Sequence, residues 1–82
     1  MNISQRVGHR IKVRRVDLGL QQGELAEKLG VTQAHLSYLE QGKRQISLEL
    51  LEKIAQILKC PMSDLLGENG RRYTDAPERD AA

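Results

Sequence analysis

An 82-residue chain has room for one hydrophobic core and excludes a second independent fold. With no Trp, no Phe and only Tyr38 and Tyr73 as aromatics, that core must be built from Leu, Ile, Val, Ala and Met, which suits packed helices better than a sheet. The formal net charge of +2 is small, yet the stretch Arg6 to Arg15 carries five basic residues and no acidic one, so the total conceals either a basic face or a merely solvated one.

Apolar residues at Val7, Ile11 and Leu18 keep helical spacing from about Ile3 to Leu18, and Gly19 supplies a stop. Arg15 occupies the step of that stripe between Ile11 and Leu18, so a buried charge there needs a partner. A short second helix runs from about Gln22 to Leu29 with Leu25, Ala26 and Leu29 on one side, and Gly30 makes the following turn cheap. Thr32 caps a third helix that reaches about Gln41, with Leu36 and Leu39 inward and Gly42 as its stop. Past the polar loop, Ser47 caps a fourth helix whose Leu51, Ile54, Ala55 and Leu58 recur at core spacing. Pro61 opens a fifth helix holding Met62, Leu65 and Leu66. The expected architecture is therefore all-α, a compact five-helix domain over residues 1–67. The polar, aperiodic residues 68–82 are expected to form a disordered tail.

Cys60 is the single cysteine, which excludes an intramolecular disulfide and a cysteine-based metal cluster and suits a reducing cytoplasm. The chain has no apolar run long enough to span a bilayer, and its N-terminal stretch lacks the apolar core of a secretory signal. His9 and His35 lie on separate helices, Ser63-Asp64 reads as ordinary helix surface, and no phosphate-cradling glycine loop or metal-ligand spacing is present. An enzyme is not expected, and neither a cofactor nor a metal is implied.

Small Ala26, the turn at Gly30 and the inward Leu25, Leu29, Leu36 and Leu39 fix a helix pair whose second member keeps one face free. The run Leu20-Gln21-Gln22-Gly23-Glu24-Leu25-Ala26-Glu27-Lys28-Leu29-Gly30-Val31-Thr32-Gln33, followed by Leu36-Ser37-Tyr38-Leu39-Glu40-Gln41-Gly42-Lys43-Arg44, resembles the Cro/phage-repressor (XRE) helix-turn-helix family. The resemblance covers about Val7 to Leu66. It implies that helices two and three form a DNA-binding helix-turn-helix and that helix three enters the major groove. Carried over by position, the base-contacting residues are Gln33, Ala34, Ser37 and Tyr38, with His35 less central. The chemistry agrees, since a glutamine amide matches the paired donor and acceptor of adenine and an alanine methyl suits thymine. The resemblance also places Gln22, Lys43 and Arg44 on the phosphate backbone, with Gly42 allowing close approach of the main chain, and it pairs Arg15 with Glu40 as a structural ion pair. Arg10 and Arg14 either extend the phosphate-facing surface or are simply solvated.

Departures from the family pattern are Gly23 in helix two, a loss of roughly 0.5–1 kcal/mol in helix stability, Lys59 where glycine is common, Ile46 where proline is common, and Cys60 in place of valine. Leu50 and Ile57 on helix four, with Met62 and Leu66 on helix five, exceed what one small core needs, so they are expected to form the interface of a homodimer or to be covered by helix five. The resemblance thus implies a cytoplasmic transcriptional regulator that binds a palindrome in double-stranded DNA. The alternative is a helix-turn-helix module, antitoxin-like, that binds a protein partner and for which DNA is secondary.

Overall fold

A computed structural model describes residues 2–67, and these form five α-helices with no strand among the described residues. They are α1 (Ile3–Asp17), α2 (Gln22–Leu29), α3 (Gln33–Glu40), α4 (Leu48–Ile57) and α5 (Met62–Leu66). The expectation for residues 68–82 lies outside the described residues, as does Tyr73.

Local chemistry sets the helix starts. At α1, Asn2 Oδ1 accepts the Gln5 N–H at 2.8 Å while the Gln5 side chain accepts the Asn2 N–H at 2.9 Å, a reciprocal cap. Thr32 Oγ1 accepts from the His35 N–H at 3.0 Å at the start of α3, and Ser47 Oγ from the Leu50 N–H at 3.1 Å at the start of α4. Between α2 and α3 the chain reverses at Gly30, with φ +78°, and the Val31 N–H reaches back to the Ala26 carbonyl at 3.0 Å.

The core is a single cluster of Val7, Ile11, Leu25, Ala26, Leu29, Leu36, Leu39, Leu51, Ile54, Ala55, Leu58 and Leu65. Around it α1 packs on α3 and α5, α2 on α3 and α4, and α4 on α5. Leu18 corrects the sequence expectation: it is 40% exposed although it keeps helical dihedrals and its N–H bonds to the Arg14 carbonyl at 3.0 Å, because it caps the end of α1 at the rim of a groove and not over the core. Leu20, beyond the turn, packs on the core instead.

Gly8 is a determinant that periodicity does not reveal. It is buried in mid-α1, and a Cβ there would fall on the Leu39 carbonyl and within 2.7 Å of the Glu40 carbonyl oxygen. Only glycine lets α1 approach the C-terminal end of α3 this closely, and that approach brings Arg15 beside Glu40.

Lys59 adopts a left-handed conformation, φ +58°, at the position where α4 ends. Its side chain makes this costlier than glycine would. The carbonyls exposed at that end are bound from α1: Arg14 Nε donates to the Leu58 oxygen at 3.1 Å and Nη2 to the Lys59 oxygen at 3.2 Å.

Candidate nucleic-acid interface

The orientation of α3 is decided by what it buries. Leu36, Leu39 and Glu40 face inward, so at about 3.6 residues per turn the outward side carries Gln33, Ala34, Ser37 and Tyr38. Gln33 and Ala34 are exposed, Ser37 is half-buried, and Tyr38 is 45% exposed despite its size. His35 sits at the edge of this face, half-buried. Ser37 Oγ accepts from Gln41 Nε2 at 2.8 Å, which leaves its own O–H to donate outward.

A polar network behind the face ties three helices together. Arg15 Nε donates to Glu40 Oε2 at 2.7 Å, Nη2 to Oε1 at 3.2 Å and Nη1 to the Leu20 carbonyl at 2.8 Å. The two side chains are only 9% and 3% exposed, so the charges are paired where water cannot screen them. Gln22, in the first turn of α2, donates from Nε2 to the same Glu40 carboxylate at 3.0 Å and accepts at Oε1 from Gln33 Nε2 at 3.4 Å. A continuous chain of contacts thus runs from a buried ion pair to an exposed side chain of α3. At the N-terminus of α2, the Glu24 carboxylate accepts the Gln21 N–H at 2.7 Å.

Lys43 and Arg44 are exposed in the loop that leaves α3, and the Lys43 N–H bonds back to the Tyr38 carbonyl at 2.9 Å, holding the loop against the helix end. Gly42 also has a packing role within the fold. Its missing side chain accommodates the first turn of α1, where the Cα of Gln5 would be 2.5 Å from a Cβ, so glycine is required there for the packing of α1 on the end of α3.

The basic run of α1 divides between two faces. Lys12 lines the cleft formed with Gln21, Gln22, Gln33, Ser37 and Gln41. Arg10 and Arg14 line a different groove, against Cys60, Asp64 and Leu65 of the α5 side, and Arg14 is already engaged with the end of α4. Helical phase therefore removes Arg10 and Arg14 from the surface around α3 and puts Lys12 there. Lys12 and Gln41 were legible in principle: Gln41 lies one turn after Ser37, and Lys12 one turn before Arg15.

The apolar residues expected at a subunit interface, Leu50, Ile57, Met62 and Leu66, are half-buried and packed against the core. Ile57 borders a groove with Leu18 and Leu20, while Leu66 borders another with Ile3, Ile46 and Leu48, and Leu48 is 73% exposed. Cys60 also packs on the core; burial pushes its thiol pKa up, with Asp64 adding and Arg14 opposing, the reverse of what a nucleophilic cysteine requires. Among the described residues no cluster of side chains has metal-binding geometry and no helix is long and apolar enough to cross a membrane.

Residues 11–65 match the helix-turn-helix family model. The chain is 38% identical over 68 residues to an uncharacterised HTH-type transcriptional regulator of Sinorhizobium medicae, an overlap of 78% of this chain and 49% of that protein, so it spans about half the length of that relative. In structure it is similar to the clp gene regulator ClgR of Corynebacterium glutamicum, with a TM-score of 0.78 and 32% identity over 80% of this chain and 70% of ClgR. It is likewise similar to the biofilm master regulator SinR solved in complex with DNA, with a TM-score of 0.68 and 38% identity over 73% of this chain and 97% of SinR. The curated relatives bear the names of transcriptional regulators and not of enzymes.

Proposed function

Because this chain belongs to the helix-turn-helix family of transcriptional regulators, of the phage-repressor type, and carries its DNA-binding domain, we propose that it binds a palindromic operator in double-stranded DNA as a homodimer. Gln33, Ala34, Ser37 and Tyr38 read base edges in the major groove, with His35 at the margin. Gln22, Lys43 and Arg44 bind phosphates, and Lys12 joins them from across the cleft.

The observation that carries this reading is the direction in which α3 points. Its inward stripe is fixed by Leu36, Leu39 and the Arg15–Glu40 pair, so the helix as a whole is held with its polar stripe outward. Cations follow it in the Lys43-Arg44 loop and flank it at Lys12. Phosphate contacts fix register while the polar stripe supplies sequence choice. Since one recognition helix reads only a few base pairs, two related by a twofold axis and spaced roughly 34 Å apart account for an operator of useful length. Leu50, Ile57, Met62 and Leu66, partly buried against the core, keep some apolar surface that a second copy would cover. A cytoplasmic location accompanies this function.

Selection of bound duplexes from a random pool tests it. The wild-type chain is expected to enrich a twofold-symmetric motif, and Gln33→Ala to lose about 1–3 kcal/mol of specific affinity and relax preference at one base pair per half-site. An unchanged preference in Gln33→Ala removes Gln33 from the readout, and no enrichment by the wild type overturns the function.

A further inference from the structure

Gly23 stands in the first turn of α2, where any residue with a side chain other than proline would form helix more readily. A Cβ at this position would meet only one group: the amide of Gln33, whose Oε1 would lie 3.4 Å away and whose Cδ 3.8 Å away. Those are ordinary van der Waals separations, so an alanine fits without displacing anything. The glycine therefore leaves a notch on α2 facing the side chain that heads the exposed stripe of α3.

Gln33 is otherwise loosely held. It is exposed, and its hydrogen bond to Gln22, at 3.4 Å, is long. Gln22 is anchored by its 3.0 Å bond to the buried Glu40, so the looseness belongs to Gln33 alone. A glutamine has three side-chain torsions, the last of them broad, and a paired contact to adenine needs its donor and acceptor aligned together.

We propose that Gly23 is a positioning residue for base recognition. By leaving the notch beside Gln33 open, it lets that amide take more than one orientation, so the base pair under Gln33 is read permissively. This rests on the DNA-binding reading above.

The test compares four full-length proteins, wild type, Gly23→Ala, Gln33→Ala and the double variant, by duplex selection and by thermal melting. Gly23→Ala is expected to melt no lower than wild type, because alanine reduces the freedom of the unfolded chain. It should also sharpen the ratio of best to second-best base at one position by about threefold or more, a fraction of what a full glutamine contact discriminates. The sharpening should vanish in the Gln33→Ala background. An unchanged base profile in a stably folded Gly23→Ala protein overturns the proposal, and so does an equal effect with and without Gln33, which would place the role of Gly23 in the α2 backbone. A wild-type chain without base preference at any position would instead overturn the DNA-binding reading, and this proposal with it.

Discussion

Glu40→Ala removes the acceptor around which α1, α2 and α3 are assembled. Arg15 would keep one hydrogen bond, to the Leu20 carbonyl at 2.8 Å, and give up the two to the carboxylate. Its side chain is 9% exposed, so water cannot take the place of the missing acceptor. Two charge-assisted bonds at about 1.5–3 kcal/mol each agree with the roughly 3–5 kcal/mol typical of orphaning one partner of a buried pair. At about 4–8 °C per kcal/mol for a domain of this size, the lower bound alone lowers Tm by about 12–24 °C. Thermal denaturation followed by circular dichroism measures this. The companion variant Arg15→Met/Glu40→Leu removes both charges and is expected to recover most of the stability, since a buried ion pair contributes little beyond apolar residues of similar volume. A Glu40→Ala protein destabilised by less than about 1 kcal/mol, the range of solvent-exposed pairs, would refute the reasoning.

Neutralising Lys43 or Arg44 to Gln is expected to weaken binding to all duplexes alike and to flatten the dependence of log affinity on log salt by about one unit for each phosphate no longer neutralised; a salt slope identical to wild type in both variants takes the loop off the DNA. Lys59→Gly is expected to stabilise the fold by about 0.5–1 kcal/mol, the relief of a left-handed non-glycine residue less the added freedom of the unfolded chain. A melting temperature at or below the wild-type value would show that the φ of +58° carries no penalty. Sedimentation across a micromolar range is expected to show a dimer, weakened by Asp at Leu50 and Ile57; a protein that stays monomeric and binds a palindrome without cooperativity between half-sites has no such interface.

What the amino-acid sequence determined by itself was local. Caps at Thr32 and Ser47, the turn at Gly30 and apolar residues at 3.6-residue spacing act within a few positions of one another, so the five helices and nearly the whole core were legible. Arg15 could be seen to need a partner because it fell on a buried stripe. Tertiary structure decided which groups meet. The basic run of α1 reads as one feature in sequence, yet phase and packing send Lys12 towards α3 and hold Arg14 on the end of α4, a partner 44 residues away. Gly8 looks like a flaw in a helix until the α3 carbonyls lie against it, and the contact of Gly42 with Gln5 of α1 has no signal in the sequence. Helical periodicity specifies the side of a helix on which a residue lies. What occupies the space beside it is set by the crossing of helices far apart in the chain.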